Sequence, residues 1–232
     1  LKNTADARAA AIAKYREAAA TFQPLGLHYE TAMALFSTGI LQLTGGDARG
    51  AAVTLAAALP HARALNDPLV PSFGNRNGEA NALNNIGKIH ADLADWQQAL
   101  EHYRMAVPIW QEVKDVRREG TTLNNIGVTL SNAGDVQRAL DYFALAIERR
   151  RAAKDQAGEA DTLSAMGLAE SRLGQHRKAL ALLELALTLR RAVGDKRSEA
   201  LTMDYLGRTH LDLGDAQRAA AVLRPHPRHQ TI

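Results

Sequence analysis

The chain has 232 residues, 46% of them hydrophobic, 5% aromatic and 23% charged, with a formal net charge of +3 at pH 7 and no cysteine. Disulfides, thiolate metal ligands and thiol catalysis are therefore excluded, and no stretch approaches the roughly 20 consecutive apolar residues of a membrane span. Basic residues are interleaved with acidic ones, so the charge does not call for nucleic acid, and a reducing cytoplasm is the expected location.

Glycine recurs at positions 87, 127, 167 and 207, a fixed period of 40 residues, and the flanking residues keep the same period. Leu83, Leu123, Leu163 and Met203 precede each glycine by four, and Ala99, Ala139, Ala179 and Ala219 follow it by twelve. Within one period the apolar positions follow a helical spacing. They are broken once, at Ala94-Asp95, Gly134-Asp135, Gly174-Gln175 or Gly214-Asp215, so each unit reads as two helices joined by a tight turn. Glycine suits a left-handed residue closing the first helix, and aspartate can accept backbone N–H bonds opening the second.

Taken in chain order, residues 4–22 read as a lone second helix, because Ala11, Tyr15 and Ala18 keep the register of Ala99, Tyr103 and Ala106. Residues 30–65 form the first complete pair, with Leu35, Gly39, Ala51, Leu55 and Ala58 lying 48 rather than 40 residues before their equivalents. The surplus falls in 66–78, where Pro68, Pro71, Gly74 and neighbouring Asn and Asp residues predict an inserted loop. A flap over a small molecule, using Phe73, is one reading of it; a tolerated insertion without function is the other. Pairs follow at 79–114, 119–154 and 159–194. A fifth, at 199–224, is cut short by Pro225 and Pro227, leaving a tail at 225–232. All 232 residues thus read as one array, and its ragged ends suggest a module of a larger protein and a tendency to self-associate.

Large-x-x-apolar-Gly, then small at +12, aromatic or leucine at +16 and small at +19, resembles the tetratricopeptide repeat. Leu83, Ile86, Gly87, Ala99, Tyr103 and Ala106 carry it, as do Leu123, Ile126, Gly127, Ala139, Phe143 and Ala146. The longer period and the Leu-Asn-Asn-Ile-Gly runs are similar to the long-helix variety of kinesin light chains and of bacterial signalling proteins. The chain departs from the short repeat at His90, Leu130, Glu170 and His210, where that repeat favours tyrosine. The resemblance implies an all-α fold, a right-handed superhelical solenoid of antiparallel helix pairs whose first helices line a concave groove.

By that register the groove carries Asn81, Asn84, Asn85 and Lys88, then Asn124, Asn125 and Asn132, then Arg172, and last Asp204 and Arg208. An amide has donors and an acceptor, so it can hold a peptide backbone whatever side chains that backbone bears. The alternative is that these asparagines bond neighbouring helices. The mixed charges would select a partner bearing both signs.

The clusters Arg149-Arg150-Arg151 and Arg190-Arg191 resemble a phosphate patch but sit at the ends of second helices, where cations complement the helix dipole; solvated helix ends are the expectation. His226 and His229 lack a third ligand, and His90 and His210 share a repeat offset that suggests packing. No constellation for catalysis, metal or cofactor stands out. The resulting expectation is a non-catalytic scaffold binding a protein or peptide segment, with no nucleic acid and no membrane. Its alternative is a regulatory module of a signalling protein carrying a caspase-like protease, a nucleotide-binding ATPase or a transcription regulator.

Overall fold

A computed structural model describes residues 2–64 and 76–223, with side chains from Thr4 onward. Among the described residues the regular elements are all helices. They are α1 (Lys2–Phe22), α2 (His28–Thr44), α3 (Ala48–Ala64), α4 (Arg76–Asp92), α5 (Trp96–Glu112), α6 (Val116–Asn132), α7 (Val136–Ala152), α8 (Gln156–Arg172), α9 (His176–Val193), α10 (Lys196–Asp212) and α11 (Ala216–Leu223). A short 3-10 turn at Gln23–Leu25, closed by left-handed Gly26, joins α1 to α2. The chain divides into two compact units, residues 1–125 and 126–232.

The first helices start earlier than the sequence pattern suggests. α6, α8 and α10 begin at 116, 156 and 196 because Asp115, Asp155 and Asp195 stand just ahead of them. Their carboxylates accept the N–H groups of Arg118 (3.0 Å), Gly158 (3.2 Å) and Ser198 (3.0 Å), which would otherwise lack partners. α4 likewise begins at Arg76, so positions 76–78 of the expected loop are helical; residues 66–75 lie outside the described residues. The tail at 225–232, with His226 and His229, lies outside them too.

Inside each pair, the recurrent glycine marks where the two helices touch. A Cβ on Gly87 would stand 2.7 Å from the Tyr103 ring, one on Gly127 2.6 Å from Phe143, and one on Gly39 2.7 Å from Leu55. The large residue sixteen positions on, carried by the partner helix, therefore lies directly over glycine backbone. In the first unit, Leu55, Leu83, Ile86, Ile109 and Trp110 build one continuous core. In the second, Ile147, Leu163 and Ala186 do the same, backed by Met166, Leu182 and Leu189. Burial on this scale across helix pairs outweighs the weak propensity of any single 17-residue helix.

The turns between paired helices use the left-handed region. Gly134, Gly174 and Gly214 occupy it as expected, and Ala94 takes it at φ 59° in the one turn lacking glycine. Lys114, Lys154 and Gly194 repeat the device between successive pairs.

Candidate interaction face

Along α4, Asn81, Asn85, Lys88 and Asp92 follow one another at i, i+4, i+7 and i+11, which places them on one stripe of the helix. Asn81 is half-buried; the other three are exposed. The side chains of Asn85 and Lys88 make no hydrogen bond or ion pair with another described residue. The same register on α8 brings Asp161, Ala165, Leu168 and Arg172, and on α10 Leu201, Tyr205, Arg208 and Asp212. The stripe is polar on α4 and more apolar on α10, where Leu201 is 47% exposed.

Several of the sequence-predicted residues are engaged with one another instead. Buried Trp110 donates its Nε1–H to Thr122 Oγ1 at 3.0 Å. That hydroxyl donates to Asn84 Oδ1 at 3.1 Å, and the same oxygen accepts from Asn125 Nδ2 at 3.2 Å. Asn84 and Asn125 thus tie α4 to α6, the alternative noted from sequence. Asn124, next to Asn125 in α6, has its Oδ1 buried and unpartnered.

In the second unit, Arg172 reaches the last turn of α6. Its Nη1 donates to the Ser131 carbonyl at 3.0 Å and the Ser131 hydroxyl at 2.8 Å, and both terminal nitrogens reach Asn132 Oδ1 at 3.3 Å. A guanidinium there satisfies helix-end carbonyls and complements the dipole. Arg208 pairs with Asp204 one turn away at 2.9 Å.

The arginine clusters require a correction. Arg149, Arg151 and Arg191 remain toward the surface, but Arg150 and Arg190 are only 6% and 5% exposed, so they are not solvated helix ends. Arg150 Nη1 bonds Asp155 Oδ2 at 2.9 Å, and it occupies space that a Cβ on Gly158 would fill. Arg190 donates to the Ser198 carbonyl at 2.6 Å and to the Thr202 hydroxyl, while its Nη2 meets Asp161 at 3.1 Å. Trp110, Arg150 and Arg190 share one repeat offset, and Thr122, Thr162 and Thr202 share another. The periodicity itself was the signal for a buried joint, because a dipole argument treats each helix end in isolation.

A second recurrent pairing closes the outside of these joints. Glu79, Glu119, Glu159 and Glu199 occupy equivalent positions. They accept from Arg63 (2.6 Å), Gln111 (2.8 Å), Arg151 (2.6 Å) and Arg191 (2.9 Å) respectively. Hydrogen bonds from Lys196 and Arg191 hold the Glu199 carboxyl below its ordinary range. The hydroxyl and N–H of Ser198 lower Asp195 in the same way.

Such a ladder of paired helices, repeated at 40 residues with glycine under an aromatic or leucine, is matched by the sequence profile described as tetratricopeptide repeat, over residues 78–152 and 158–224. The chain belongs to the tetratricopeptide repeat family. No curated protein matches it. Among solved structures, this repeat protein is similar to BtubC (BKLC) from P. vanneervenii, at 19% identity and a TM-score of 0.75 with 97% of each chain covered. It is also similar to a Rap protein complexed with competence and sporulation factor, at 14% identity and a TM-score of 0.66. There the match covers 84% of this chain and 52% of the other. A third, MamA from Desulfovibrio magneticus RS-1, matches at 18% identity and a TM-score of 0.60, covering 82% of this chain and 90% of the other. These likenesses establish the tetratricopeptide fold. No helix among its described residues is long and apolar enough to cross a membrane.

Proposed function

We propose that the chain is a protein-interaction scaffold that holds a peptide or protein segment against the exposed stripe of α4. The observation that carries this reading is that Asn85 and Lys88 stand exposed on α4 without a protein partner. The surrounding amides, Asn84 and Asn125, are locked into the joint behind them. An amide and an ammonium presented on a preformed helix offer backbone hydrogen bonding and one charge contact without any backbone having to be ordered. The Rap protein solved with competence and sporulation factor supports the same use of the fold. Because the match covers about half of that Rap chain, service as a regulatory module within a larger signalling protein is the second reading.

Peptide phage display on the full chain tests the proposal. Selected peptides are expected to bind the double variant N85A/K88A more weakly by about 1–3 kcal/mol, as two direct hydrogen bonds are lost, while its circular dichroism and melting curve stay unchanged. Peptides that keep full affinity for the folded variant would refute the placement on α4.

A further inference from the structure

His28 opens α2 and His61 lies in the last turn of α3, so the helical hairpin brings together two imidazoles 33 residues apart in sequence. Their Nδ1 atoms are 3.1 Å apart, with ring centroids at 5.3 Å and ring planes tilted by 42°. At this distance one Nδ1–H donates to the other Nδ1, so the two Nδ1 edges already face each other. Two imidazole nitrogens bound to one ion at about 2.0–2.1 Å stand roughly 2.9 Å apart at a right angle and roughly 3.4 Å apart at a tetrahedral angle. The observed separation lies between those limits before any ion arrives.

We propose that His28 and His61 form a binding site for a late first-row divalent ion, of the Ni²⁺, Cu²⁺ and Zn²⁺ class that imidazole suits. The ion replaces the Nδ1–H···Nδ1 bond and sits beside the N–N line; the donor ring shifts its proton to Nε2, leaving both rings neutral with Nε2–H and both Nδ1 lone pairs on the ion. Among the described residues no third His, Cys, Asp or Glu completes a cluster, so the other coordination positions are left to water or to an incoming ligand. Binding joins the start of α2 to the end of α3 and therefore stabilises the folded hairpin by mass action.

The chain supplies its own comparison. His90 and His102 also form a pair, but their Nδ1 atoms are engaged by Asp95 Oδ2 (3.2 Å) and by the Gln98 carbonyl (2.8 Å). Their rings stack 13° from parallel at 5.4 Å, so the free edges do not converge.

Isothermal titration of the untagged full chain with NiCl₂, in a non-coordinating buffer, is the test. The comparison set is H28Q, H61Q, H90Q/H102Q and H226Q/H229Q. Losing a direct ligand should exceed the roughly 10- to 100-fold effect of removing a group that merely supports one. H28Q and H61Q are thus each expected to weaken the same site at least about tenfold, and H90Q/H102Q and H226Q/H229Q to leave it intact. The melting temperature should rise with Ni²⁺ in the parent chain, fall back with EDTA, and not respond in H28Q/H61Q. Circular dichroism confirms that the variants fold. Absence of binding at millimolar Ni²⁺, or binding that survives H28Q and H61Q and disappears with the stacked or tail histidines, would overturn the assignment.

Discussion

Replacing Gly127 by alanine isolates the contact that sets the distance between paired helices. The new Cβ would fall 2.6, 2.7 and 3.1 Å from three ring carbons of Phe143, which is 1% exposed. Carbon atoms in good contact are roughly 3.5–4.0 Å apart, so the ring or the helix must retreat by about 1 Å. Overpacking of this kind costs about 1–3 kcal/mol. Three short contacts to one ring put the cost in the upper half of that range, about 2–3 kcal/mol, and alanine in place of glycine inside a helix returns about 1 kcal/mol, so the net loss should be about 1–2 kcal/mol. Urea unfolding followed at 222 nm measures it, with G167A as the comparison. There the nearest atom is Leu183 Cγ at 3.0 Å and the neighbour is an aliphatic side chain rather than a flat ring, so the two terms should nearly cancel. Adding F143L to G127A should recover part of the loss, giving a coupling of about 1 kcal/mol between the two positions. If G127A were as stable as the parent, or if G167A were the more damaging of the two, the reasoning from close approach would fail.

Two further outcomes follow from the joints between pairs. R150A removes the arginine from its buried pair with Asp155 and should cost about 3–5 kcal/mol in urea unfolding; R150M, which fills more of the space, combined with D155N should cost less than R150A alone. Glu199 supplies a pH test with a defined sign. Its folded proton affinity is depressed by Lys196 and Arg191, so its contribution is fully present above the unfolded value near 4.5 and is lost as pH falls through the lower folded value. The stability gap between the parent and E199Q should therefore narrow as pH falls below about 4.5, and a gap that stayed constant or widened on acidification would contradict the pairing.

Much of the fold was legible because a 40-residue period constrains every unit at once: Gly87 and its equivalents fixed the helix pairs, and Ala99 and its equivalents fixed their facing sides. The early helix starts were harder to read, since Asp115 and Asp155 act through backbone geometry and lie outside the apolar pattern. At the candidate face, register alone placed Asn84 and Asn85 together, although one turns into the joint and the other to solvent. A helix advances 100° per residue, and that difference decides whether an amide meets Thr122 or water. The burial of Arg150 and Arg190 was visible only as a coincidence of offset with Trp110, because a guanidinium enters a core only where partners such as Asp155 and Ser198 are in place.

A chain of repeats suggests growth by copying, with any unit able to follow any other. The three joints at Trp110, Arg150 and Arg190 argue against that here. Arg118 lies over the Trp110 ring at 5.4 Å, Gly158 leaves room for the Arg150 guanidinium, and the Ser198 carbonyl receives Arg190. Exchanging units would set an arginine side chain against the space that Arg150 fills, or a glycine beneath an indole that has lost its cation. Each unit therefore specifies its successor, and the order of the repeats is written into the structure as firmly as their number.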